Sequence, residues 1–284
     1  MKKYFPSTPS RRHMTTLPFK QYLTASEPYK ALTKGMKRDM GRNAFGRITV
    51  RHKGGGHKKL YREIDFVYDK KNMPATVKTI EYDPFRTGYI ALVQYLDGAR
   101  RYILVPKTVK VGDKFLVSET AEIATGNRLP LKKIPVGTFV YNIEIQPAGG
   151  AKLVRSAGTF AQVIANDAGH THIKMPSTEV RKIDENSWAT VGTVSNEESR
   201  LVNIGKAGRA RWMGIRPTVR GSAQNPVDHP YGGGEQRTGR GLRRLKTRWG
   251  KQAGKGQKTR TPKKYSNVFI VSRRRVGKAK DGEK

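Results

Sequence analysis

Two small consecutive β-barrels flanked by extended basic arms, a mainly β architecture, is what three features of the sequence predict. Short runs rich in Val, Ile and Tyr succeed one another between residues 61 and 194, with turn residues between them. No helical pattern there outlasts about ten residues, so parallel strands joined by crossover helices are not expected. The charge, finally, is segregated to the two ends of the chain.

The arms follow from counting charge by segment. The 284 residues carry 57 Lys+Arg against 22 Asp+Glu, a formal net charge of +35. Residues 1–62 hold 16 cations and two acids, residues 200–284 hold 24 and four, and residues 63–199 hold 17 and 16. A near-neutral centre can collapse on its own, whereas like-sign ends repel themselves and stay extended until a polyanion neutralises them. A lone Lys/Arg cluster is most simply solvated surface; two arms holding almost the whole net charge require a dense, extended anion as partner. Glycine agrees, since 14 of its 30 copies fall in residues 200–284, where they weaken helix and strand preference. The division expected is a basic N-terminal extension (1–59), a first barrel (60–122), a second barrel (123–198) and a Gly-rich basic C-terminal extension (199–284).

Several classes are excluded. With no cysteine there are no disulfides, no thiolate-bound zinc and no thiol chemistry, which fits a reducing compartment. No apolar run reaches the roughly 18 residues that span a bilayer, and Met1-Lys-Lys-Tyr-Phe-Pro6 lacks the apolar core of a signal peptide. A cytoplasmic chain without membrane contact is expected.

In the first barrel, strands are predicted at Tyr61–Tyr68, Ala75–Tyr82, Tyr89–Tyr95, Arg101–Val105 and Lys114–Val117. Asp97-Gly98 marks a tight hairpin and Val111-Gly-Asp113 another turn, so neighbouring strands are antiparallel. After the Pro130–Pro135 corner come Thr138–Ile145, Phe160–Ala165, His170–Met175, Glu179–Ile183 and Trp188–Val194. In the first of these, residues 139, 141, 143 and 145 share one face and Asn142 and Glu144 the other, which reads as a wet side. Two barrels are the simplest packing because closure removes exposed edges; one larger sandwich is the alternative. Ser195-Asn-Glu-Glu198 has the spacing of a capping box and predicts a short helix leading into the C-terminal arm.

The arms carry the motifs. Gly41–Lys59 sets Arg42, Arg47, Arg51, Lys53, His57, Lys58 and Lys59 around Gly54, Gly55 and Gly56, so that backbone amides and cations can approach phosphate oxygens together. It is not a Walker loop, which needs a Lys-Ser/Thr pair at another glycine spacing. Gly205–Arg220 interleaves Lys206, Arg209, Arg211, Arg216 and Arg220 with Trp212; arginine forks onto phosphate and an indole stacks on bases, although Trp212 could equally be a packing residue. Asn225–Glu235 places His229 beside Asp228, between Pro226 and Pro230 and ahead of Gly232, Gly233 and Gly234. An Asp228–His229 base with Ser222 as nucleophile is disfavoured, because adjacent residues of an extended segment point apart. His229 as a hydrogen-bond partner of RNA is the better reading. The remaining histidines, His13, His52, His57, His170 and His172, supply no third ligand beside the 170/172 pair, so no metal site is expected.

These motifs, with Lys2-Lys-Tyr4, Ser10-Arg-Arg12, residues 41–66, Ile80-Glu-Tyr-Asp-Pro84, Gly126-Asn-Arg-Leu-Pro-Leu131 and Arg155-Ser-Ala-Gly-Thr159, closely resemble the bacterial-type ribosomal protein L-two family. The likeness runs nearly end to end. It implies an OB-fold followed by an SH3-like barrel, both extensions threading into large-subunit rRNA, and a mature N-terminus in place of a transit peptide. It implies a ribosomal, non-enzymatic role in stabilising large-subunit rRNA, in subunit association, in tRNA binding and in supporting the RNA-based peptidyl-transferase centre. The partners implied are rRNA, other ribosomal proteins, the small subunit at the interface and, indirectly, tRNA, with no homo-oligomer. No cofactor is expected beyond magnesium that accompanies the rRNA. Tyr231 stands where the family commonly has the second histidine of His-Pro-His, Tyr141 where a histidine is common, and Gly221-Ser-Ala-Gln224 where Gly-Val-Ala-Met is usual. An OB-fold-bearing nuclease would need clustered carboxylates, whereas these are scattered through the body; a DNA-compacting protein would bind duplex DNA as well as structured rRNA.

Overall fold

The computed structural model describes residues 1–37, 40–236, 239, 241–254 and 259–274; residues 275–284 of the expected C-terminal extension lie outside the described residues. The described residues divide into two compact units, one drawn from within residues 1–37, 58–206 and 268–274, the other from within residues 40–57 and 207–267.

The first unit opens with two small ladders. β1 (Lys2–Lys3) pairs antiparallel with β2 (Thr15–Thr16), and β3 (Thr33–Gly35) with β4 (Leu60–Arg62). Despite its charge, this N-terminal segment lies on the barrel that follows, through its few apolar and aromatic side chains. Tyr22 stacks on Tyr89 with ring centroids 6.0 Å apart, and Leu23, Tyr29 and Leu32 pack against buried clusters. The Tyr29 amide donates to Tyr102 Oη at 2.7 Å, and that hydroxyl donates to Glu81 at 2.6 Å.

The barrel sheet contains β5 (Ala75–Glu81), β6 (Ile90–Tyr95), β7 (Arg100–Leu104) and β8 (Lys114–Phe115), antiparallel in the order β7-β6-β5-β8. Alternation turns Val77, Ala91, Val93 and Ile103 into a core closed by Tyr68, Tyr95 and Phe115. The Asp97-Gly98 hairpin forms as expected, with Gly98 at φ +81° and its amide donating to Tyr95 O at 3.0 Å. The strand expected at Tyr61–Tyr68 is shorter. Asp65 Oδ1 accepts from the amides of Val67 and Tyr68 at 2.9 and 2.8 Å, and this local turn diverts the backbone from a ladder.

The strands that follow are β9 (Arg128–Pro130), β10 (Phe139–Tyr141), β11 (Ile143–Glu144), β12 (Ala151–Leu153), β13 (Ala161–Asp167), β14 (His170–Lys174), β15 (Val180–Asp184), β16 (Trp188–Val191) and β17 (Ile270–Ser272), in two further sheets. Seven strands follow the order β17-β15-β14-β13-β10-β16-β9, while β11 and β12 pair with each other. Leu129, Leu131, Ile134, Val140, Ile143, Val163, Ile173 and Val191 fill the interior.

Two expectations fail here for physical reasons. Thr138–Ile145 is not one strand with Asn142 and Glu144 on a wet face: Asn142 takes φ +49°, the strand breaks there, and the two side chains are buried. The partner that permits it is Arg128, itself buried, whose Nη1 donates to Asn142 O at 2.6 Å and whose Nη2 donates to Glu144 Oε1 at 2.9 Å. Asn142 Nδ2 donates in turn to Tyr68 Oη at 2.8 Å. Nor does Ser195 cap a helix: its Oγ accepts from the Tyr89 amide at 3.0 Å, and a 3-10 turn begins at Glu197 behind Asn196 in the left-handed region.

The second unit contains the helix Ala207–Trp212 and the 3-10 turns Gly221–Ala223 and Tyr265–Asn267. None of its described apolar side chains is buried. No helix among the described residues is long and apolar enough to cross a membrane.

Candidate nucleic-acid interface

Two motifs separated by some 150 residues of sequence meet in the second unit. The Gly54 amide donates to Gly214 O, the His57 amide to Trp212 O and the Arg216 amide to His52 O, at 2.9, 2.9 and 3.0 Å, and Lys53 bridges antiparallel to Ile215. His52 Nδ1 lies 3.0 Å from Pro217 O. The glycines make the crossing feasible. Gly54 and Gly55 adopt φ +127° and +68°, and a Cβ on Gly56 would sit 2.8 Å from the backbone of Gly214. Chain approach to chain is therefore a demand on Gly56 in its own right.

Ahead of the crossing, residues 41–50 form a hairpin. Gly41 O accepts from the amides of Thr49 and Val50, and Asn43 Oδ1 accepts from those of Phe45 and Arg47. This Asx turn holds Phe45 at the tip, 89% exposed. Hairpin and crossing together enclose a concavity of about 550 Å³. Arg42, Arg51, Lys53 and Arg216 supply its charge, Gly54 and Gly55 its floor, and Met40, Ile48 and Val50 its apolar walls; no carboxylate lines it. Such a surface offers forked and point-charge donors to phosphate beside apolar area for a base or sugar.

The other expected residues divide between the two units. Arg209 and Arg211 occupy the last turn of Ala207–Trp212, where cations suit the carbonyl end, and Arg211 lies beside Gly55. Trp212 is 60% exposed, Arg47 is exposed on the hairpin, and Arg220 is exposed at the start of the next turn. Lys58, Lys59 and Lys206 belong to the first unit. There Lys59 Nζ donates to Pro84 O at 3.2 Å and sits 5.6 Å from the Phe85 ring centroid.

In the second unit, the described residues around His229 form a separate knot. The His229 amide donates to Asn225 O, the Gly232 amide to His229 O and the Gly233 amide to Gln224 O. The Tyr231 amide donates to His229 Nδ1 at 3.1 Å, so a neutral His229 carries its proton on Nε2. The rings of His229 and Tyr231 lie 4.8 Å apart, and Tyr231 Oη accepts from the Lys246 amide at 2.5 Å. Gly221 lies under the imidazole: a Cβ there would be 2.7 Å from the ring. Gly232 is packed against Asn225, and Gly233 and Gly234 take φ +83° and +87°.

Sequence reasoning passed over Phe45 and Trp249. Trp249 is 72% exposed with the Arg248 guanidinium 5.3 Å from its ring. Both show the signal that singled out Trp212, an aromatic set among glycine and arginine.

Two family models match the chain. "Ribosomal Proteins L2, RNA binding N-terminal domain" covers residues 29–117, and "Ribosomal Proteins L2, C-terminal domain" covers residues 124–250. The first takes in the β5–β8 sheet and the second the main strands of the larger one, consistent with an OB-fold followed by an SH3-like barrel. Spanning residues 29–250 between them, these matches show that the chain belongs to the ribosomal protein L2 family, structural components of the ribosome whose N-terminal domain binds RNA.

Proposed function

We propose that the chain is a constituent of the large ribosomal subunit that binds and stabilises large-subunit rRNA. The extensions 1–59 and 199–284 neutralise phosphates inside the folded RNA. Arg42, Arg47, Arg51, Lys53, Lys58, Lys59, Lys206, Arg209, Arg211, Arg216 and Arg220 are the phosphate contacts, Trp212 and His229 meet bases or sugars, and His57 is a further rRNA-binding residue. From that position the protein supports subunit association, tRNA binding and the RNA-based peptidyl-transferase centre, beside other ribosomal proteins and the small subunit.

One observation carries this reading: the second unit buries none of its described apolar side chains, gathers arginine and lysine around a concavity without acids, and leaves Phe45, Trp212 and Trp249 exposed. A segment that cannot bury a core draws its order from a partner, and this one is complementary to a polyanion with accessible bases.

The test is binding of the full chain to large-subunit rRNA at a series of salt concentrations. About ten phosphate contacts at roughly 0.7–0.9 each give a log–log slope steeper than about −7. A slope near −2, or equal affinity for duplex DNA, would overturn the reading.

A further inference from the structure

The two barrels are nearly neutral in sum, yet the outer face of the second gathers apolar and cationic side chains. Phe139 in β10 and Phe160 just before β13 meet with ring centroids 4.7 Å apart, and both are exposed, at 44% and 43%. Val140, Ala161 and Val163 take the inward positions, so alternation directs Phe139, Phe160 and Gln162 outward, and Ile164, at a bulge against β14, is exposed as well. Val136 and Ile164, also exposed, extend the apolar area. Scattered surface hydrophobes need no explanation, but adjacent aromatic rings flanked by further apolar residues mark a contact surface.

Its charge specifies the partner. The register sets Phe139 opposite Gln162 and Gln162 opposite Lys174, while one row further His172 lies opposite Lys182. Lys174 and Lys182 are exposed. Carboxylates begin only beyond them, in the row where Asp167 and Asp184 flank His170. An aromatic platform beside cations is what an unpaired RNA strand requires, since its bases offer free faces and its phosphates lie within reach of lysine. A duplex keeps those faces stacked inside, whereas an unpaired strand brings base planes and phosphates together at nucleotide spacing.

We propose that this face is an additional RNA contact, on which unpaired nucleotides stack against Phe139 and Phe160 while Lys174 and Lys182 meet their phosphates. It rests on the rRNA-binding reading above but uses residues outside the extensions.

The experiment places a photoreactive phenylalanine analogue at position 139, separately at 160, and for reference at 212, in the full chain assembled with large-subunit rRNA. Cross-links from 139 and 160 to unpaired nucleotides are expected. Yield from 139 should fall several-fold in Phe160→Ala, and should decline more steeply with salt in the Lys174→Ala/Lys182→Ala double variant. Cross-links from both barrel positions to base-paired segments only, to protein, or to nothing, while position 212 still reports RNA, would overturn the platform and leave the rRNA-binding reading standing. Absence of RNA cross-links from all three positions would remove both.

Discussion

Arg128 and Glu144 form an ion pair at 2.9 Å with both side chains almost wholly buried, at 1% and 3% exposure. The guanidinium also donates to Asn142 O and lies 4.4 Å from the Tyr68 ring, and the Trp188 amide donates to Glu144 Oε2. The pair thus ties β9, β11 and β16 to the Tyr68 end of the first barrel.

Because two buried charges compensate each other here, removing one alone is costly. Glu144→Gln keeps the shape and strands the guanidinium, and is expected to lower stability by about 3–5 kcal/mol. Replacing both by apolar residues, Arg128→Met with Glu144→Leu, should recover much of that. Urea unfolding followed by near-ultraviolet circular dichroism measures both; a Glu144→Gln midpoint equal to that of the parent would show that the pair carries no such weight.

This pair also shows where the sequence stops being readable. Val, Ile and Tyr runs disclosed most strands of both sheets because β-branched and aromatic residues fit a pleated, half-buried surface. Asn142 and Glu144 read as a wet face because their burial depends on Arg128, which arrives from another strand. At the interface, glycine and arginine composition identified the cations. It could not reveal that residues 52–57 meet residues 212–216, since those hydrogen bonds are made by backbone atoms that leave no side-chain pattern.

The crossing yields a second prediction. In Gly56→Ala the new Cβ meets the Gly214 backbone at 2.8 Å and the Trp212 carbonyl at 3.2 Å, and neither is a flexible side-chain end that can swing away. The two segments must separate, so the amides of Gly54 and His57 should lose hydrogen-exchange protection and rRNA affinity should fall by about tenfold or more, a backbone hydrogen bond or two being worth roughly that. Gly208→Ala is the control: nothing lies within 4 Å of its Cβ, and a helical alanine is favoured over glycine. Equal affinities for the two variants would refute the role given to the crossing.

Tyrosine burial sets the alkaline limit of stability. Burial pushes Tyr89 and Tyr95 up to about 12, and raises Tyr68 and Tyr141 as well. Native phenols hold their protons more tightly than unfolded ones, which ionise near 10. Raising the pH past about 10 therefore deprotonates the unfolded state first, and stability that is fully present below that value declines as the pH climbs toward the native values. Tyrosinate absorbance should show a group of phenols that titrates only with loss of the folded circular dichroism signal. At the acid end, hydrogen bonds from Arg101 and Lys70 hold Asp69 and Asp97 below the usual carboxylate range, so their smaller contribution disappears as the pH falls through those values.

Tyr231 fixes the imidazole it follows in sequence. Its amide donates to His229 Nδ1, and its hydroxyl accepts from the Lys246 amide fifteen residues on, so Tyr231 links the orientation of the His229 ring to the backbone at Lys246. Nitrogen chemical shifts of the neutral His229 ring in the full chain should report the Nε2–H tautomer, with a donor available to RNA. Tyr231→Phe keeps the amide and the ring contact but removes the acceptor; the tautomer should persist while the Lys246 amide loses about 1 kcal/mol of exchange protection. Gly221→Ala, whose Cβ would lie 2.7 Å from the imidazole, should do the reverse, displacing the ring and breaking the Nδ1 bond. A His229 found with its proton on Nδ1 in the parent chain would contradict the hydrogen bond on which both expectations depend.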